Sequence, residues 1–183
     1  MRITGGEAKG RTLNFPSRSV QRPTTDFLRS ALFNLLGSPA DQNVLDLFAG
    51  SGSVGLEALS RKARAVTFVE KSKILAGVIR ENAVLCGYPD KCRIIDTDVQ
   101  TALRDLYRHK QRFDLAFADP PYNQGLIGET IRALKEYPVL QEDGMLALQH
   151  SIREALPAMD GWSLTDQRKY GDNYLSFIRM DKA

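Results

Sequence analysis

Hydrophobic positions along this 183-residue chain fall into short runs whose spacing switches between strand-like alternation and a helical period of about 3.6 residues. The chain opens with two β-type pieces, Arg2-Ile3-Thr4 and Arg11-Thr12-Leu13-Asn14-Phe15, linked through glycines; this predicts a hairpin. Pro16 and Pro23 then punctuate the chain. Phe27, Leu28, Ala31, Leu32, Leu35 and Leu36 recur at i, i+3/i+4, predicting a helix capped by Thr24, Thr25 or Asp26 and ended by Gly37.

From residue 43 the period alternates regularly. Val44-Leu45-Asp46-Leu47-Phe48 reads as a strand and Val54–Arg61 as a helix. Ala65–Val69 is a second strand, followed by a helix over 72–86 with Ile74, Leu75, Val78, Ile79 and Leu85 on its apolar side. Arg93-Ile94-Ile95, a helix over 99–108, the strand Phe113–Ala118, a helix over 126–136 and the strand Met145–Leu148 continue the series. Such alternation implies βαβ units and a parallel sheet covered by helices on both faces. The end of the chain differs: Trp162–Lys169 and Tyr174–Met180 are strand-like runs joined by Tyr170-Gly171-Asp172-Asn173, a hairpin signal. A parallel sheet closed by an antiparallel hairpin predicts an α/β fold of the class I methyltransferase Rossmann-like type. The expected sheet is mostly parallel and seven-stranded, with a small N-terminal β-hairpin extension. Residues 1–22 form that extension and 23–183 the main domain.

Composition adds limits. No apolar run approaches membrane-spanning length, and Met1–Gly6 lacks the apolar core of a signal peptide, so a cytoplasmic protein is expected, without membrane contact. Cys86 and Cys92 are not spaced as a metal or redox pair and have no histidine beside them, so neither a metal nor a disulfide is expected, and both should pack as small apolar residues. Charge is unevenly placed. Residues 1–22 hold Arg2, Lys9, Arg11, Arg18 and Arg22 against Glu7, net +4, whereas the whole chain carries +3. This suits a phosphate-rich partner bound by that segment, and equally a solvated hairpin with no partner.

The first strand runs into Asp46-Leu47-Phe48-Ala49-Gly50-Ser51-Gly52-Ser53-Val54-Gly55, where Gly50, Gly52 and Gly55 make G-x-G-x-x-G in a strand–loop–helix setting. Glu70 ends the second strand, placed to accept from both ribose hydroxyls of a nucleoside. Asp46 separates two cofactor classes. A carboxylate just before the glycines would repel a dinucleotide's pyrophosphate but attract the ammonium and sulfonium of S-adenosylmethionine. Asp98, after the third strand, can accept from the adenine amino group, cap the next helix, or do both. The expected cofactor contacts are Asp46, Phe48, Ala49, Gly50, Ser51, Gly52, Glu70, Lys71, Asp98 and Val99.

Asp119-Pro120-Pro121-Tyr122 follows the fourth strand directly, at the strand end where open α/β sheets bind ligands. An exocyclic amine on a nucleobase is a poor nucleophile because its lone pair is delocalised. A carboxylate from Asp119 and the Pro120 carbonyl, accepting its two hydrogens, would draw that lone pair out of plane. Consecutive prolines fix φ and hold the carbonyl, and Tyr122 offers a stacking face without needing its hydroxyl. Transfer would then rest on positioning and electrostatics, with no covalent intermediate. His109 is read as solvated, His150 as a packing residue, and Trp162 as core.

These residues resemble the RsmD family of guanine-N2 methyltransferases of small-subunit (16S) ribosomal RNA, over nearly the full length. The likeness runs through Met1-Arg2-Ile3, Lys9-Gly10-Arg11, Arg22-Pro23-Thr24, Ala31-Leu32-Phe33-Asn34, the glycine loop, Phe68-Val69-Glu70-Lys71, Asp119-Pro120-Pro121-Tyr122, His150-Ser151 and Tyr170-Gly171. It implies S-adenosylmethionine as cofactor and methylation of one guanine N2 in the small-subunit RNA, in the assembled or partly assembled 30S subunit. It also implies that Arg22 and Thr24 lie near the cofactor or target base, and that the N-terminal hairpin grips RNA through Arg2, Lys9, Arg11, Arg18 and Arg22. A monomer is expected. Ser30 and Gln149 depart from the family pattern, each standing where a Glu is common. Adenine-N6 methylation of DNA or RNA also fits the Asp-Pro-Pro-Tyr loop; a cofactor-binding ribosome assembly factor without catalysis is a further alternative, and the intact Asp119 argues against it. Protein glutamine methylation normally has Asn in place of Asp119.

Overall fold

Seven strands form one sheet in the order β3-β2-β1-β4-β5-β7-β6. The computed structural model describes residues 1–16, 25–122 and 124–181. In chain order the elements are α1 (Asp26–Leu36), β1 (Asn43–Leu47), α2 (Ser53–Ser60), β2 (Ala65–Val69), α3 (Lys73–Cys86), β3 (Cys92–Ile95) and α4 (Val99–Arg108). They continue with β4 (Phe113–Ala118), α5 (Leu126–Glu136), β5 (Leu140–Ser151), β6 (Trp162–Tyr170) and β7 (Asn173–Met180). Strands β1 to β5 pair in parallel, and β7 runs antiparallel between β5 and β6. A dinucleotide-binding Rossmann sheet has no such inserted strand.

The central strands are apolar on both faces because both are covered. On one face, Val44, Val66, Phe68, Leu115 and Phe117 pack under α1, α2 and α3; on the other, Leu45, Leu47, Val69, Ala116 and Leu146 pack under α4 and α5. Three helices start at a side-chain cap, whereas α2 and α5 follow left-handed Gly52 and Gly125. Thr25 Oγ1 accepts from Leu28 N at 3.2 Å, and Ser72 and Asp98 cap α3 and α4 in the same way. Gly55 has a packing reason: a Cβ there would come within 2.3 Å of the Phe68 ring, so only glycine lets α2 lie this close to β2.

The N-terminal pieces meet as an isolated antiparallel bridge, Arg2 opposite Thr12, with Ile3, Ala8 and Leu13 buried against the α1–α3 face. A buried ion-pair network ties this segment down. The Glu57 carboxylate accepts from Thr4 N (2.7 Å), Thr4 Oγ1 (2.8 Å), Arg29 Nε (3.2 Å) and Arg61 Nε (3.0 Å), and Arg29 also reaches the Arg2 carbonyl.

Several expectations need correction. Phe27 and Ile74 are 69% and 75% exposed and Leu35 and Leu85 are partly exposed, so they stand off the buried stripes. The packed face of α3 is Leu75, Ala76, Ile79, Asn82, Ala83 and Cys86, one position out of phase with Ile74. Strand β5 is 12 residues long rather than four, because its polar start, Gln141–Asp143, is exposed and breaks the apolar signal. Cys92 is only half-buried.

Candidate functional site

The carboxyl ends of β1, β2, β3 and β4 converge on one cleft of about 200 Å³. Phe48, Glu70, Lys71, Asp98, Val99 and Pro121 line it, together with Thr97, Gln100, Leu126, Glu129 and Thr130. Its apolar pieces, Phe48, Val69, Val99 and Leu126, come from four different segments, and of its carboxylates Glu70 and Asp98 follow β2 and β3 while Glu129 is on α5. That combination fits a nucleoside: a flat base between apolar side chains and a ribose against a carboxylate.

The loop after β1 is tightly wound. Phe48, Gly50 and Gly52 all have left-handed φ (60°, 58° and 78°), and Gly52 N donates to Ala49 O at 2.8 Å. A phenylalanine held at positive φ is a strained position of the kind found at ligand sites. Glu70 is 4% exposed; its carboxylate accepts from Gly50 N at 2.8 Å and from Ser72 N at 2.9 Å, which joins the glycine loop to the start of α3. Each oxygen retains a lone pair for a further donor.

Asp46 lies beneath the loop, 1% exposed, accepting from Gly55 N at 2.9 Å. Burial pushes its pKa up to about 7; the Gly55 hydrogen bond opposes this, and the charges of Asp119 and Glu70 reinforce it. Its carboxylate is therefore not fully ionised at neutral pH. Asp98 caps α4 by accepting from Thr101 N at 2.9 Å, and this hydrogen bond lowers its pKa. It borders the cleft at the same time, so the cap and a ligand contact are compatible.

Asp119 follows β4 as a partly buried residue, Pro120 is buried, and Pro121 faces the cleft. Tyr122 is 41% exposed, but its hydroxyl is engaged: it donates to Asn173 Oδ1 at 2.6 Å and accepts from Gln149 Nε2 at 3.3 Å. The hydroxyl thus fastens the loop to the β6–β7 hairpin, a task the sequence did not suggest. His150 is buried, with Nε2 2.8 Å from Ser176 Oγ, and burial lowers its pKa; Trp162 is core and His109 is exposed.

Arg2, Lys9 and Arg11 are exposed on the N-terminal segment, and Arg11 donates to the Leu85 carbonyl. Arg18, Arg22 and Thr24 lie outside the described residues. Two residues escaped the sequence reading. Asn82, fully buried, exchanges hydrogen bonds with the Asn14 backbone (2.7 and 3.0 Å) and donates to Ser51 O at 3.0 Å, linking the basic segment to the glycine loop. A polar residue on the apolar stripe three positions after Ile79 was the available signal. Gln149 was visible only as a departure from a family pattern. Among the described residues, no group of acidic, histidine and cysteine side chains could hold a metal ion, and no helix is long and apolar enough to cross a membrane.

This fold and cleft define a class I S-adenosylmethionine-dependent methyltransferase. The family described as Conserved hypothetical protein 95 matches residues 1–179. The chain belongs to this family, that of ribosomal RNA small subunit methyltransferase D. The Escherichia coli (strain K12) protein of that name is 33% identical over 173 residues, covering 93% of this chain and 85% of that protein. A Thermus thermophilus protein of known structure superposes with TM-score 0.85 at 32% identity, covering 98% of this chain and 99% of the other. A more distant methyltransferase solved with SAH shares the fold, with TM-score 0.70 at 17% identity, covering 84% of this chain and 48% of that one.

Proposed function

We propose that this protein methylates N2 of a guanine in small-subunit ribosomal RNA, using S-adenosylmethionine. The observation that carries the reading is the placement of Asp119-Pro120-Pro121-Tyr122: it leaves β4 beside the nucleoside-sized cleft, and Pro121 forms part of the cleft wall. S-adenosylmethionine supplies the methyl group as an electrophile. The chain's residues hold and orient. Glu70 takes the ribose hydroxyls, Asp98 and Val99 border the adenine, and Phe48, Ala49, Gly50, Ser51 and Gly52 bring backbone close to the amino-acid part. Asp46 provides charge beneath that loop, and Lys71 lies at the cleft edge. Thr24 is assigned to the same site on family likeness alone.

Asp119 accepts one hydrogen of the target amine and the Pro120 carbonyl the other. The nitrogen lone pair turns out of the ring plane toward the methyl group, and the proton released on transfer is within reach of Asp119. Most of the acceleration comes from holding the amine in this geometry. Tyr122 stacks on the flipped base through its exposed ring, while its hydroxyl keeps the loop fixed. Residues 1–22 act as an RNA-binding extension to the methyltransferase domain at 23–183, with Arg2, Lys9, Arg11, Arg18 and Arg22 meeting phosphates. The relatives' shared name, ribosomal RNA small subunit methyltransferase D, supports small-subunit RNA or its ribonucleoprotein as the partner.

The test compares small-subunit RNA from cells with and without the gene, digested and mapped by mass spectrometry. One N2-methylguanine should disappear on deletion and return on complementation. Complementation with Asp119→Ala should fail, with the purified variant at least about 100-fold slower yet binding the cofactor normally. An unchanged methylation map overturns the substrate assignment, and retained turnover in the variant overturns the role of Asp119.

A further inference from the structure

Strands β4 and β5 run in parallel register with Ala118 opposite Leu148, so Asp119 and Gln149 are the next residue of each. Gln149 shares its sheet face with Ala147 and with its β7 partner Leu175, the face that also carries Phe117. It is 3% exposed. Its amide nitrogen faces the Tyr122 hydroxyl. The single hydroxyl proton of Tyr122 goes to Asn173 Oδ1 at 2.6 Å, so the same oxygen can only accept from Gln149, through Nε2 at 3.3 Å. That leaves Gln149 Oε1 as a buried acceptor, and it has no partner among the described residues. Buried acceptors almost always find a donor, and this one sits beside the Asp119 loop, where a ligand or a water molecule can supply it.

We propose that Gln149 Oε1 accepts the ring N1–H of the target base and so selects guanine over adenine. This rests on the guanine-N2 reading above. Asp119 and the Pro120 carbonyl are both acceptors, and any planar amine satisfies them. Guanine carries an N1–H donor directly beside its 2-amino group; adenine carries an N1 lone pair beside its 6-amino group. A third acceptor next to the amine-holding pair completes guanine's donor edge and opposes adenine's lone pair. Tyr122 and Asn173 act one step back, since together they orient the Gln149 amide with its oxygen open.

The experiment uses small-subunit RNA assembled by splinted ligation with either guanine or 2,6-diaminopurine at the mapped position. Diaminopurine keeps the 2-amino group but has a lone pair at N1. The wild-type enzyme should favour guanine by about 10- to 100-fold in kcat/KM. Gln149→Leu should slow transfer to guanine and bring the ratio near unity, with cofactor affinity unchanged. Gln149→Glu, which keeps an acceptor, should retain the preference. Equal wild-type rates on the two RNAs overturn the inference without needing any variant to fold, as does a full preference persisting in Gln149→Leu. A map that shows methyladenine, or no lost methylguanine, overturns the guanine reading itself. Equal rates at a confirmed N2-methylguanine overturn only the role of Gln149.

Discussion

Asp46 illustrates how a single residue's chemistry depends on what the fold puts around it. Its type and position in the chain already pointed to a cationic ligand, but its protonation depends on burial, which the sequence does not display. In the folded protein its pKa is raised from the ordinary 3.8 to about 7. The native state therefore binds a proton that the unfolded chain has released, and Asp46 lowers stability progressively as pH rises from about 4 through about 7. On the proposed placement of the cofactor, its ammonium has the opposite preference and favours the ionised carboxylate. Binding should expel the proton below pH 7. Cofactor affinity should then rise with pH by up to about tenfold per unit and level off above neutrality. Calorimetry across that range, in buffers of different ionisation enthalpy, measures both the slope and the proton release. Asp46→Asn keeps an acceptor for Gly55 N–H and should flatten the profile; an identical slope in the variant would assign the titration elsewhere.

At the scale of elements, periodicity was a good guide wherever an element is buried on one defined face or on both. Strands β2 and β4 and helices α4 and α5 lie where the pattern placed them, and the hairpin of β6 and β7 turns at Gly171-Asp172. The glycine loop and the Asp119 loop follow β1 and β4 as the pattern placed them, and the roles proposed for them rest on residue type. What stayed hidden was pairing across distance. Nothing local marks Glu57 as the acceptor for Thr4, Arg29 and Arg61, nor Asn82 as the link between Asn14 and Ser51. Gln149 likewise gains meaning only when β5 lies beside β4. The Glu57 network carries a stability prediction. Arg29 and Glu57 are both fully buried, so Glu57→Ala would take a fully buried counter-charge from the Arg29 guanidinium and leave it the half-exposed Asp26 at 2.8 Å. Breaking such a pair costs about 3–5 kcal/mol, which lowers the melting temperature by roughly 6–20 °C in a chain of this size. By contrast, Arg168→Ala, which removes the exposed pair with Asp166, should shift stability by no more than about 0.5 kcal/mol. Thermal melts of the two variants side by side check the contrast, and a similar small shift in both would show that the network contributes little.

Over the whole molecule, the uneven charge becomes a matter of geometry. The charge that Arg2, Lys9 and Arg11 bring to the net +4 of residues 1–22 does not sit on a loose tail, because Ile3, Ala8 and Leu13 are buried in the α1–α3 core and Thr4 is held by Glu57. Asn14 is held by Asn82, which also holds the glycine loop. The exposed cations Arg2, Lys9 and Arg11 are therefore carried on a frame fixed relative to the cofactor cleft, so phosphates bound there would set the register of the target base without reading its identity. Each phosphate contact to single-stranded RNA contributes about 0.7 to the slope of log affinity against log salt concentration. Replacing Arg2, Lys9 and Arg11 together by Gln should thus weaken RNA binding and reduce that slope by up to about 2. The reduction should fall short of this limit, because the Arg11 guanidinium already donates to the Leu85 carbonyl and is not wholly available. Cofactor affinity should not change, since none of the three lines the cleft. Filter binding over a series of salt concentrations gives the slope directly. If it stays as steep as in the wild-type protein, these cations are ordinary solvated surface, and the RNA must be held by residues elsewhere on the molecule.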